Sequence, residues 1–134
     1  MKLMLDTHIL LWALTDSPNL PGTARMMIEN QENEIYFSIV SAWEIEIKHL
    51  KHPEIMTVNG GELFRYAEES GFYPVTVECR HIEYLEQLKR EEKTLPHHDP
   101  FDRIMIAQAA SEGMLLLTHD DRIREYTDPH ILWL

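Results

Sequence analysis

The chain has 134 residues, 44% hydrophobic and 26% charged, a size and balance that predict one domain spanning residues 1–134 and exclude wholesale disorder. Its net charge of −11 is the opposite of a basic nucleic-acid-binding footprint, which argues against a non-catalytic binder but leaves room for a nuclease whose acids surround divalent cations. Cys79 is the only cysteine, which excludes a disulfide framework and a Cys-rich zinc site and fits a reducing cytoplasm, and Asp6, Asp16 and Pro18 interrupt the early apolar runs before a signal-peptide core or membrane span forms.

Lys2 to Leu5 reads as a short apolar strand that stops at Asp6, and Thr7 to Leu14 as the helix after it. A second helix is expected from about Leu20 to Gln31, then a strand, Glu34 to Phe37. From Ser41 on, Trp43, Ile45, Ile47 and Leu50 are interleaved with Glu44, Glu46 and Lys48, which suits a strand, but Ile39 to Leu50 is long for one. Ser41 and Glu44 have capping-box spacing, and Trp43, Ile47 and Leu50 share a helical face, so a helix is predicted. Asn59-Gly60-Gly61 marks a turn before a helix, Glu62 to Glu69, that Gly71 ends. Tyr73 to Val77 is a short strand placed near an edge by Pro74.

Arg80 to Glu92 reads as a charged helix with Ile82, Leu85 and Leu88 on one side. Thr94 to Pro100, with two prolines and His97-His98, is a loop. The next helix runs from about Phe101 to Glu112, with Asp99 as N-cap and Pro100 at the first helical position; it is apolar nearly all round, hence buried. Met114 to Thr118 is a doubly covered strand, His119 to Tyr126 a short helix and Ile131 to Trp133 a last strand. Strands alternating with helices predict an α/β fold, a three-layer α/β/α sandwich with a mostly parallel central sheet.

Ligands in such folds collect at the carboxyl ends of the strands. Asp6 ends the first strand and Asp120 lies just past the strand ending at Thr118. Apart from helix dipoles, nothing in the sequence neutralises Asp6, Glu44, Asp99, Asp102, Asp120 and Asp121. Carboxylates gathered at one sheet edge repel unless a cation resides there, and several of them without a thiol specify a hard ion, Mg²⁺ or Mn²⁺, suited to phosphodiester cleavage. Each acid also has a local structural reading. Asp6 can cap the first helix, Glu44 can complete a Ser41 capping box, and Asp102 can return the bond to Asp99. Thr118 and Asp121 show the same spacing, which leaves Asp120 as the acid without a capping role. On spacing and composition, helix caps and a metal site stand equally open.

Four segments carry a resemblance: Leu3-Met4-Leu5-Asp6-Thr7-His8, Ser41-Ala42-Trp43-Glu44-Ile45, His98-Asp99-Pro100-Phe101-Asp102-Arg103-Ile104-Met105-Ile106-Ala107-Gln108-Ala109 and Leu116-Leu117-Thr118-His119-Asp120. In this order they resemble the PIN-domain family, and more narrowly the VapC-type toxins of bacterial toxin–antitoxin pairs. Asp-Pro-Phe-Asp-Arg is the most specific element. The resemblance implies a Mg²⁺- or Mn²⁺-dependent endoribonuclease that is a homodimer and is inhibited by a cognate antitoxin. It implies that Asp6, Glu44, Asp102 and Asp120 are both the catalytic residues and the metal ligands, with metal-activated water as nucleophile and a 5′-phosphate and 3′-hydroxyl as products. Thr7 and Thr118 are candidates for orienting carboxylates or water, and Asp99 for a cap with a supporting role.

Arg103 is a candidate phosphate contact, with structural pairing to an acid as the alternative. Lys48, His49, Lys51 and His52 past Glu44, and Arg122 and Arg124 past Asp120, are candidate guides for an RNA backbone, with a solvated surface as the alternative. His8 and His119 are candidate phosphate or carboxylate contacts, with packing an equal reading for His8. Trp12, Trp43 and Trp133 are expected in the core or a dimer interface. The histidines lack the spacing of a zinc protease site. A receiver domain would need a lysine on the late strand, and a haloacid-type phosphatase an aspartate where His8 stands. A non-catalytic PIN module acting through its antitoxin is the non-enzyme alternative. The charge leads us to expect a shaped RNA target with unpaired bases at the cleavage site.

Overall fold

The structure, a computed structural model, describes residues 1–90 and 99–134. Its strands are β1 (Lys2–Leu5), β2 (Glu34–Ser38), β3 (Tyr73–Val75), β4 (Leu115–Thr118) and β5 (Ile131–Trp133). Its helices are α1 (Thr7–Leu14), α2 (Gly22–Glu29), α3 (Ile39–Lys51), α4 (Gly60–Glu69), α5 (Cys79–Tyr84), α6 (Pro100–Glu112) and α7 (Asp121–Arg124), with a 3₁₀ turn at Leu85–Gln87. The strands form one sheet in the order β3-β2-β1-β4-β5, and every pairing is parallel.

Residues of period two divide the core between the sheet's faces. Leu3, Leu5, Ile35, Phe37 and Leu117 meet α1, α2, α4 and Ile45 of α3 on one side. Met4 and Leu116 meet Met105, Ile106 and Ala109 of α6, Ile123 of α7 and Val40 on the other. A parallel strand covered on both faces must be apolar throughout, which is why β1 and β4 read as unbroken apolar runs. Pro74 is tolerated because β3 lies at the sheet edge and pairs only with β2.

The chain builds β1, β2 and β3 outward in one direction and then crosses back to lay β4 against the other side of β1. The strand order therefore reverses between β1 and β4, where an open parallel sheet presents its ligand crevice. The ladder extends to Asp6, whose N–H donates to the Leu117 carbonyl at 3.1 Å.

Several expectations change. Helix α3 starts two residues before Ser41, because Ser38 at the end of β2 is its N-cap and accepts from the Val40 N–H at 3.1 Å. Ser41 and Glu44 are thus interior positions and form no capping box there. The buried face of α3 is Val40, Ser41, Glu44 and Ile45, while Trp43 is 61% exposed and Leu50 is exposed. Helix α5 ends at Tyr84, well short of Glu92, and turns inward not Ile82, which is exposed, but His81. The reason is hydrogen bonding: His81 accepts from the Glu78 N–H at 2.9 Å and donates to Glu112 at 2.8 Å, tying α5 to α6. Glu91, Glu92 and the part of the expected loop with His97-His98 lie outside the described residues. Among the described residues no helix is long and apolar enough to cross a membrane.

Candidate active site

Three of the four sequence-selected acids lie at the starts of helices, two of them just after a strand. Asp6 is the N-cap of α1, taking the Ile9 N–H on Oδ1 at 2.8 Å. Its other oxygen accepts from the Thr118 hydroxyl at the end of β4. Asp120 proves to be a cap after all: it opens α7 and accepts from the Arg122 N–H at 2.8 Å. Its own N–H donates to Thr118 Oγ1 at 3.1 Å, so one hydroxyl positions both acids. Asp99 caps α6 through the Phe101 and Asp102 N–H groups, at 2.9 and 3.3 Å. That places Asp102 in the first turn of α6, as the Asp-Pro-Phe-Asp spacing predicts.

Glu44 reaches the same region from α3. The Thr7 hydroxyl donates to Glu44 at 2.8 Å and lies 2.9 Å from Ser41 Oγ; with its one proton given to Glu44, Thr7 accepts from Ser41. The relay Ser41 to Thr7 to Glu44 is buried throughout. Reading Ser41 as a cap hid this role, although its place three residues before Glu44 puts both on one helical face.

Asp6, Glu44 and Asp102 are 3, 9 and 7% exposed. Burial raises the Asp6 carboxyl above its usual value, against the lowering effect of its Thr118 and Ile9 bonds. Burial pushes Asp102 up from 3.8 to about 8, reinforced by the charges of Asp99, Asp120, Glu44 and Asp6. Asp6, Glu44 and Asp120 are therefore each within electrostatic reach of Asp102, on which the repulsion is focused. The sequence offered no neutralising partners, but among the described residues Lys48 pairs with Glu44 at 3.2 Å and Arg122 with Asp120 at 3.3 Å.

Among the described residues no three carboxylate, imidazole or thiol groups form a ready-made ion cage. Mg²⁺ does not demand one, since it keeps several waters and binds through one or two carboxylates together with substrate phosphate. The donors fit a hard dication: oxygen ligands, no thiol, and mutual repulsion that a cation relieves.

The other candidates divide. Arg103 donates to the Tyr126 hydroxyl at 3.2 Å and lies over its ring, a structural role with a partner other than an acid. His49 bonds the Met56 carbonyl and His52 sits 3.8 Å from Glu54, while Arg124 stacks on Trp133. None of the three tryptophans is buried in the core: Trp43 meets Phe101 edge-on at the surface. Trp12, half-buried, joins Asp6, His8, His119 and Asp120 around a cavity of about 210 Å³.

An all-parallel sheet covered on both faces, with acids at its strand-order reversal, defines the class: an α/β protein with an acidic ligand crevice. The family model of the PIN domain matches residues 3–129, and the chain belongs to that family. PIN domains are typically nucleases and generally metal-dependent. Among solved structures the fold matches a chain in the crystal structure of VapBC2 from Rickettsia felis bound to a DNA fragment from their promoter. That match has a TM-score of 0.64 at 18% identity and covers 100% of this chain and 98% of the other. Likeness at that identity establishes the fold. No curated protein matches the sequence.

Proposed function

We propose that the chain is one PIN domain acting as a Mg²⁺- or Mn²⁺-dependent endoribonuclease, the toxin of a toxin–antitoxin pair. The observation that supports this reading is that Asp6, Glu44 and Asp120 all act on the buried Asp102, with Asp6 and Asp120 at the strand ends where the sheet order reverses. Helix caps alone do not account for it, because Glu44 caps nothing and two hydroxyls of the chain, Thr7 and Thr118, are committed to holding Glu44 and Asp6 in place.

Asp6, Glu44, Asp102 and Asp120 would hold the ion. Bound there, it supplies Lewis-acid stabilisation of the phosphodiester charge and a source of nucleophilic water. Thr118 fixes the rotamer of Asp6, the Ser41–Thr7 relay fixes that of Glu44, and Lys48 and Arg122 moderate the negative field at its rim. No side-chain nucleophile is required, and the products are a 5′-phosphate and a 3′-hydroxyl. The likeness to VapBC2 supports a cognate antitoxin as partner, and the family a homodimer working in the cytoplasm.

The test is incubation of the purified chain with total RNA in Mg²⁺, in Mn²⁺ and in EDTA. Cleavage is expected with either ion and is lost in EDTA and in Asp6→Asn. Cleavage absent with both ions, or surviving both EDTA and Asp6→Asn, overturns the reading.

A further inference from the structure

Beside Asp6 and Asp120 the cavity wall is built of rings. His8 and Trp12, one turn apart on α1, have centroids 5.9 Å apart. Trp12 meets His119 edge-on at 6.3 Å, and His119 stacks on Trp133 at 5.2 Å with the planes 20° apart. The shelf is held from below. Arg124 lies 4.3 Å over the Trp133 ring, Trp12 packs against the core, and His119 Nδ1 bonds the main-chain oxygen of Leu134. In a neutral His119 ring that bond places the proton on Nδ1 and leaves Nε2 as an acceptor.

We infer that this shelf, His8, Trp12 and His119 supported by Trp133, takes one unpaired base of the RNA beside the phosphodiester presented to Asp6 and Asp120; the inference rests on the nuclease reading above. Three observations carry it. Nucleic-acid binders ordinarily draw affinity from counterion release by lysine and arginine. A chain of net charge −11 in which, among the described residues, Lys48 and Arg122 beside the acids are engaged by Glu44 and Asp120 draws less on that source. Stacking on rings requires no positive charge and tolerates any base. The size also fits, because about 210 Å³ lies below the roughly 300–1,000 Å³ of pockets for drug-sized ligands and suits a single planar ring. Finally, a base inside an A-form duplex is stacked and paired and cannot lie on a recessed shelf, so the nucleotide must come from a loop, bulge or end. His119 Nε2 is then placed to accept from a donor on the base edge.

The test uses Asp102→Asn to stop turnover, with Mg²⁺ present, and fluorescence anisotropy of a labelled single-stranded oligoribonucleotide of mixed sequence. His119 is exposed and Trp12→Phe keeps a ring, so His119→Ala and Trp12→Phe read stacking without unfolding the chain; Trp12→Ala is the full deletion. Trp12→Ala and His119→Ala are expected to weaken binding about tenfold or more, and Trp12→Phe to retain most of it. An abasic site beside the cleavage position should cause a similar loss and add nothing to Trp12→Ala. The salt dependence should be shallow and unaltered by these variants, and in otherwise wild-type enzyme they should raise KM more than they lower kcat. If intact and abasic strands bind alike, or the shelf variants bind RNA as tightly as their parent, the shelf proposal is overturned. The second result is also expected if the shelf holds a partner protein's side chain. Continued Mg²⁺-dependent cleavage by the wild type would in those cases leave the nuclease reading standing. A wild type that neither binds nor cleaves RNA overturns both.

Discussion

Asp102 sits in the first turn of α6, where the helix N-terminus and burial act on its charge in opposite directions. The helix dipole favours the carboxylate by roughly 1 kcal/mol, whereas burial and four neighbouring acids move its pKa from 3.8 to about 8, so burial and repulsion win. Between those values the folded, metal-free protein binds more protons at this site than the unfolded chain does, and stability falls as pH rises across the window. Asp102→Asn is therefore expected to raise the metal-free Tm, with an advantage that is small near pH 4 and grows toward pH 8, while cleavage is lost. Thermal melts in EDTA across that range check it; a variant no more stable than wild type at pH 8 contradicts the account. The same acid shows how legible the site was. Asp-Pro-Phe-Asp marks a helix start and supplies Asp99, but the burial of Asp102 and its other acidic neighbours, past the ends of β1 and β4 and on α3, come from far away in the sequence.

Among the elements, α3 and α4 come into backbone contact at Gly60, whose N–H donates to Glu46 at 2.9 Å. A Cβ at Gly60 would stand 2.3 Å from the Ala42 carbonyl oxygen, a backbone atom unable to swing aside, while one at Gly61 meets nothing nearer than 3.6 Å. Gly60→Ala should cost about 1–3 kcal/mol as the helices separate, and Gly61→Ala should stay within about 0.5 kcal/mol of wild type, both read from urea midpoints. The α5–α6 tie makes a second prediction. Hydrogen bonds from Arg80 and His81 hold the Glu112 carboxyl below its ordinary 4.5, so its contribution is present above that value and lost as pH falls through the lowered one. Since its side chain is 25% exposed, about 1 kcal/mol is expected. Glu112→Gln should be less stable than wild type at pH 7, and the gap should close on strong acidification; a gap independent of pH in urea titrations would contradict this. Helix α5 was also the element hardest to read. Its apolar spacing pointed to Ile82 and Leu85, but the buried position goes to a histidine with two hydrogen-bond partners, and Ile82 stays exposed.

For the whole molecule, the repulsion among the acids opposes folding, and on the proposed reading a dication relieves it, which links metal binding to stability. Mg²⁺ at 100 times its dissociation constant should add about 3 kcal/mol, a rise in Tm of roughly 10 °C for a domain of this size. Asp6→Asn should abolish most of that shift. Calorimetry at pH 7 with and without Mg²⁺ decides it, and an unchanged wild-type Tm counts against a bound ion. By itself the sequence determined what depends on neighbours along the chain. It set the unbroken apolar runs of β1 and β4, the Asp6 and Asp99 caps, the edge placement of β3 and the α/β layering, and its motifs marked the family. Only the tertiary structure decided what those elements face. Ser38 rather than Ser41 caps α3, Ser41 passes to Glu44 through Thr7, Lys48 and Arg122 pair with two of the acids, and Trp12 and His119 form a shelf beside them. The reason is physical: the bond from Thr118 to Asp6 spans 112 positions and exists only because the crossover lays β4 against β1. Local periodicity cannot encode which two strand ends a crossover will bring together.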